Sequence, residues 1–213
     1  MTDRRSFLAS LAATPVAVRT GLASPAPGSH GEAQPAAPSG SAPEGPWDFS
    51  WIDKLNGTYR MVFDCGEAGD DPLRVVRAYL NGFRDVMGLE HPIVNAVVGI
   101  AGRSFPINAN DALWAKYKLG ERWKIPPGAD GKPPVTNVYA QAAAELKARG
   151  AVFWMCNNAL NRVAGMFASE TSRPVDEVRA ELVAGLMPGV IIVPAHTMLL
   201  GMVQHHGLSY EKL

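Results

Sequence analysis

Two cysteines are the residues of this sequence most able to do covalent chemistry, and each follows a run of strand-forming residues. Cys65 follows residues 58–64, and Cys156 follows residues 151–155. A helix is expected to begin near Asn158, and its amide donors and dipole would favour a thiolate at Cys156. Cys156 is therefore the candidate nucleophile.

Three other roles for Cys156 are compatible with the sequence. A Cys65–Cys156 disulfide would suit an oxidising compartment if the two Cα atoms lie within about 7 Å. Cys65, Cys156 and His196 could together bind zinc or copper, since thiolates and imidazole suit both metals. Free cysteine also packs well as a small buried hydrophobe. These alternatives stay open, and no cofactor is assigned with certainty.

Cys65 lacks an activating neighbour. Asp64 and Glu67 flank it in the sequence, and a carboxylate close to the sulfur would raise the pKa of the thiol.

Polar residues next to predicted strand ends are further candidates for a ligand site. His196 follows a short apolar run and could serve as a ligand, a general base or a helix-start residue satisfied by backbone. Arg103 could offer a fork-shaped contact to an anion, although such arginines are often solvated loop residues. Asn157 and Asn158 either cap the following helix or present amides to a ligand.

Composition and charge exclude several classes of function. The 213 residues carry 20 basic and 20 acidic side chains, so no basic field exists to attract nucleic acid. The two cysteines are too few for a disulfide scaffold and form no CxxC motif. No run approaches the roughly 20 apolar residues of a membrane span. No phosphate loop, paired carboxylates or serine–histidine–aspartate order stands out, which disfavours hydrolases and kinases.

The N-terminal residues have the pattern of an export signal. Arg4 and Arg5 stand directly before a Phe-Leu step and a modest Ala-rich apolar run, which resembles a twin-arginine signal over residues 1–23. Residues 24–46 are rich in Pro, Gly, Ser and Ala and read as a flexible linker. The expected domain is 47–213, folded before transport by the twin-arginine machinery and placed in the periplasm or another extracytoplasmic compartment.

The elements that would position these residues alternate between strand and helix. Strands are predicted at residues 58–64, 93–100, 151–155 and 189–193, with a short edge strand at 208–210. Helical periodicity or capping separates them, and residues 120–136 read as an insertion or lid around Trp123. The pattern predicts an α/β fold in three layers, with helices on both faces of a mostly parallel five-stranded sheet.

Three segments resemble the DsrE/DsrF-like (YchN-like) family. They are the strand-end motif GAVFWMCNNAL at residues 150–160, the strand MPGVIIV at 187–193 and the tail MVQHHGLSY at 202–210. The resemblance implies a sheet of order 2-1-3-4-5 with an antiparallel last strand, and assembly as a homotrimer or hexamer. It also implies a persulfide-carrying cysteine, which by position is Cys156.

In that strand order, the ligand crevice lies between strands one and three. Cys65 and Cys156 would then face it from neighbouring strands, with His196 one strand further along. The resulting expectation is an exported protein that handles a small sulfur species or thiol redox equivalent through Cys156. The alternatives are a non-enzymatic module that binds a small ligand or metal, and a structural homo-oligomer with a Cys65–Cys156 disulfide.

Overall fold

A computed structural model describes residues 47–213 as an α/β domain. The predicted signal (1–23) and linker (24–46) lie outside these residues. In chain order the elements are α1 (Ser50–Asp53), β1 (Tyr59–Cys65), α2 (Arg74–Met87), β2 (Val94–Ile100), a 3₁₀ helix (Phe105–Asn108), α3 (Asp111–Tyr117), α4 (Leu119–Arg122), α5 (Ala140–Ala148), β3 (Val152–Cys156), α6 (Asn157–Thr171), α7 (Val175–Ala184), β4 (Val190–Val193), α8 (His196–His205) and β5 (Ser209–Lys212).

Local sequence signals account for several of the helix boundaries. Asn110 caps α3, because its side-chain oxygen accepts a hydrogen bond from the Leu113 amide at 3.0 Å. Gly88 ends α2 in the left-handed conformation with φ of 66°, which glycine adopts without steric cost. Within residues 47–213, no helix has the length and apolar character to cross a membrane.

Helices cover both faces of the sheet, which confirms the predicted three-layer α/β fold. The larger core packs α2, α3, α5, α6 and α7 against one face. The smaller core packs α1 and α8 against the other face, around Trp154, Leu199 and Val203. Every residue of β2 is buried, as expected for a strand at the centre of a covered parallel sheet.

The order of the strands differs from the one implied by the family resemblance. The observed order is β4-β3-β2-β1-β5, so the implied order 2-1-3-4-5 is wrong. The first four strands are laid side by side in sequence, because their crossover helices all pack on the same face of the sheet.

The last strand also differs from expectation, because β5 is parallel to β1 and not antiparallel. After β4 the chain passes to the opposite face, where α8 packs beneath β1 and β2. This return crossover brings β5 to the free side of β1 in the same direction as the other strands, with Met61 level with Ser209.

Candidate functional site

The two cysteines do not share a crevice. Cys65 ends β1 and Cys156 ends β3, and the whole of β2 lies between them. Neighbouring strands are about 4.8 Å apart, so the two Cα atoms are separated by about 10 Å. A disulfide spans at most about 7 Å, and both thiols are free. The expected convergence of the thiols and the Cys65–Cys156 disulfide are therefore wrong, because both depended on the implied strand order.

The same separation removes the zinc or copper site considered for Cys65, Cys156 and His196. Among residues 47–213, no group of three His, Cys, Asp or Glu side chains is placed to hold a metal ion. Both ring nitrogens of His196 are already hydrogen-bonded within the protein. These three residues thus provide no metal-binding set.

Cys156 lies where the chain leaves two neighbouring strands toward opposite faces of the sheet. It ends β3, level with Val193 of β4, and its backbone forms the N-cap of α6. The chain after β3 passes to the larger core, and the chain after β4 passes to α8 on the other face. Crevices at such points hold the ligands of open α/β sheets. By this rule, the strand connections favour a ligand site between the ends of β3 and β4.

The sulfur of Cys156 receives a main-chain hydrogen bond from the next strand connection. The backbone N–H of His196, the first residue of α8, donates to Cys156 Sγ at 3.3 Å. The sulfur thus lies at the N-terminal ends of both α6 and α8, whose amide dipoles stabilise negative charge. Cys156 is 5% exposed. One fixed N–H donor and two helix N-terminal ends therefore face the sulfur of Cys156.

Cys65 has the opposite setting. It is fully buried, and burial together with the charge of Asp64 raises the pKa of its thiol to about 12, against a weaker lowering by the Ser104 hydroxyl. The thiol contacts the Glu67 carbonyl oxygen at 3.5 Å. Burial keeps this sulfur protonated near neutral pH, and the expected effect of Asp64 on its pKa is confirmed. Cys65 is therefore a packing residue.

The imidazole of His196 is held at both nitrogens. The indole N–H of Trp154 donates to Nδ1 at 3.1 Å, and Nε2 lies 2.8 Å from Asp64 Oδ1. Because an indole can only donate, Nδ1 is the acceptor and Nε2 carries the proton that binds Asp64. The two hydrogen bonds therefore fix the orientation of the ring. This anchoring fixes the start of α8, and with it the N–H at the sulfur of Cys156.

Tyr210 extends this network to the edge strand β5. Its hydroxyl donates to Asp64 Oδ2 at 2.8 Å, so the carboxylate of Asp64 accepts one hydrogen bond at each oxygen. The bond to Asp64, followed by burial and the charges of Asp64 and Glu211, raises the pKa of the Tyr210 phenol. Asp64 is thereby held in the orientation that receives the His196 ring.

Gly99 of β2 makes room for this arrangement. A methyl group there would lie 2.6 Å from Trp154 Cζ2 and 2.9 Å from His196 Cε1, closer than carbon atoms approach. The two rings therefore cross β2 directly over its backbone. Sequence reasoning missed this glycine and the roles of Asp64, Trp154 and Tyr210. A lone glycine inside an apolar strand is a signal of close approach that could have found it.

The predicted asparagines are placed differently from one another. Asn157 accepts a hydrogen bond from Arg179 of α7 at 2.8 Å and supports the packing of α6 on α7. Asn158 is exposed, and its side chain makes no hydrogen bond within residues 47–213. Neither residue caps α6, because the N-cap is Cys156 and no side chain bonds to its first amides.

Arg103 lies after β2 at a cavity that Cys156 does not line. It forms an exposed ion pair with Glu67 and lines the cavity together with Trp123. The predicted insertion around Trp123 is partly folded, since α4 lies at its start and the indole packs between Phe105 and Phe167.

Comparisons with known proteins leave the activity open. No protein-family model matches the chain, and no curated protein matches it significantly. Among solved structures, the chain is similar to a protein of unknown function, MTH1491 from Methanobacterium thermoautotrophicum. The two share 18% identity over 73% of this chain and 99% of that chain, with a TM-score of 0.39. A likeness this distant carries no argument about function.

Proposed function

We propose that Cys156 is a nucleophile that accepts one sulfur atom from a small sulfane donor and holds it as a persulfide. The observation that carries this proposal is the hydrogen bond from the His196 backbone N–H to Cys156 Sγ at 3.3 Å. It places a fixed donor at the sulfur, between the N-terminal ends of two helices. Such surroundings stabilise the attacking thiolate.

The chemical step needs no external oxidant. With thiosulfate as donor, the Cys156 thiolate attacks the outer sulfur, the sulfur–sulfur bond of thiosulfate breaks, and its electron pair leaves with sulfite. The products are a Cys156 persulfide anion and sulfite, so the total charge and the oxidation level are conserved. The negative charge stays on the sulfur pair beside the His196 N–H, which serves both thiolate and persulfide.

Access to the sulfur limits the size of the donor. Cys156 is 5% exposed, and its neighbours in the sheet, Met155 and Val193, are buried. A small inorganic or low-molecular-weight sulfur species can approach such an atom, while a folded protein partner needs a wider opening. The proposal therefore concerns small sulfur species.

His196 acts in this proposal as a positioning residue. Its ring is 12% exposed and bound on both sides, by Asp64 and Trp154, and it makes no contact that could remove a proton from Cys156. The anchored ring of His196 holds the backbone N–H of the same residue in position to donate to Cys156 Sγ. A loss of the ring anchor would leave the thiol in place and weaken the donor that faces it.

The location and assembly of the protein are part of the same proposal. Arg4 and Arg5 support export of the folded domain by the twin-arginine machinery, and the family resemblance supports a homotrimer or hexamer. Replacing both arginines by lysine should retain the protein in the cytoplasm, which cell fractionation measures.

Sedimentation equilibrium measures the number of chains in the assembled mature domain. It should give three or six chains, and a monomer would contradict the proposed assembly.

Intact mass measurement tests the proposed chemistry. The reduced mature protein is incubated with thiosulfate, and a gain of one sulfur atom, removed by dithiothreitol, is expected for the wild type. The variant Cys65→Ser should gain the same mass, and Cys156→Ser should gain none. Absence of the gain in the wild type, or its persistence in Cys156→Ser, would refute the proposal.

A further inference from the structure

We infer that the cavity beside Arg103 binds a small amphipathic anion, with an apolar planar body and one oxyanion head group. The cavity has a volume of about 440 Å³, within the range of small-molecule sites. This inference is independent of the thiol chemistry, because Cys156 does not line the cavity.

The cavity lies at the carboxyl edge of the sheet, beyond the ends of β1 and β2. One side is the backbone after two adjacent strands, with Gly66 following β1 and Gly102 following β2. A methyl group at Gly66 would meet only the Leu213 carbonyl oxygen at 3.5 Å, and one at Gly102 only Ala159 Cβ at 3.8 Å. The glycines thus leave the backbone open to close approach by a ligand.

The opposite side of the cavity is lined by apolar side chains of α6 and by the indole of Trp123. Val163 and Met166 of α6 line it, and Met166 is exposed although it is a large apolar residue. The Trp123 indole N–H donates to the Gly102 carbonyl oxygen at 3.2 Å, which fixes the ring at the cavity. A flat indole beside aliphatic groups favours a planar apolar body.

Two guanidinium groups give the cavity its preference for an anion. Arg103 and Arg162 are its charged lining residues, and both are cations. Arg162 is exposed and pairs with no carboxylate within residues 47–213. Arg103 pairs with Glu67, but both side chains are more than half exposed, and such pairs contribute little net free energy. Its remaining N–H donors are available for an oxyanion.

Binding of naphthoate, measured by isothermal titration calorimetry on the mature domain, tests this inference. Saturable binding at one site per chain is expected, and the neutral analogue naphthalenemethanol should bind more weakly by about tenfold. Raising the salt concentration should weaken the binding of naphthoate and leave the binding of the neutral analogue unchanged. Absence of saturable naphthoate binding, or equal binding of both compounds, would overturn the inference.

Three charge variants locate the site. Arg162→Gln should weaken naphthoate binding by about five- to tenfold, because it removes a head-group contact. Glu67→Gln should tighten binding by about twofold, because it removes the carboxylate that competes for Arg103. Arg74→Gln removes an exposed cation of α2 that does not line the cavity, and should leave binding unchanged. If Arg162→Gln and Arg74→Gln changed naphthoate binding equally, the anion would not bind at this cavity and the site would be refuted.

Discussion

Replacing Gly99 by alanine should destabilise the fold and slow the chemistry of Cys156 together. The added methyl group would lie 2.6 Å from Trp154 Cζ2 and 2.9 Å from His196 Cε1. Trp154 is fully buried and both rings are hydrogen-bonded, so neither can move without losing contacts. Overpacking costs about 1–3 kcal/mol and the lost indole hydrogen bond about 1 kcal/mol more. The expected total is about 2–4 kcal/mol.

Urea denaturation followed by tryptophan fluorescence measures this loss, and thermal unfolding should show a Tm lower by about 5–15 °C. The matched control is Gly82→Ala in α2, where an added methyl group meets nothing within 4 Å. Alanine is the better helix former, so this variant should be more stable by up to about 1 kcal/mol.

The second readout is the rate at which thiosulfate adds sulfur to Cys156. It should fall in Gly99→Ala, because displacement of the His196 ring moves the N–H away from the sulfur, and should be unchanged in Gly82→Ala. A Gly99→Ala protein with wild-type stability would refute the packing argument. A folded Gly99→Ala protein with a wild-type rate would refute the positioning role of His196.

Three further outcomes follow from the same network and from the two thiols. Iodoacetamide should modify Cys156 before Cys65 in the native protein and both at similar rates in urea, as peptide mass mapping shows; faster labelling of Cys65 in the native protein would contradict the assignment. The pKa of Cys65 is raised from 9.0 to about 12, so the free energy of unfolding should fall by up to about 1.4 kcal/mol per unit between pH 9 and 12; Cys65→Ala should show a shallower fall, and an identical slope would count against the burial argument. Trp154→Phe leaves His196 Nδ1 without its donor and should cost about 1–3 kcal/mol in urea unfolding; no loss would show that the indole bond is dispensable.

Much of the local structure could be predicted from sequence. Short runs of apolar and strand-forming residues predicted the first four strands, since this signal acts within a few residues. Strand order could not be predicted in this way. Strand order depends on the face of the sheet against which each crossover helix packs. The crossovers between β1 and β4 pack on the larger core, and α8 alone among the crossover helices packs on the other face.

The candidate site was predictable in part for the same reason. The setting of Cys156 before a helix was visible locally, whereas the partner of its sulfur comes from His196, 40 residues later. Asp64 reaches His196 across 132 residues, and only the return of α8 over the sheet brings them together. The presence of two cysteines suggested a disulfide between Cys65 and Cys156. The two residues are too far apart to form it, because β2 lies between β1 and β3.

Peptide mass spectrometry after thiosulfate treatment of the native domain locates the added sulfur and so tests the role of Cys156 directly. We expect one additional sulfur atom on the peptide that contains Cys156 and none on the peptide that contains Cys65. Sulfur on the Cys65 peptide, or on neither peptide, would contradict it.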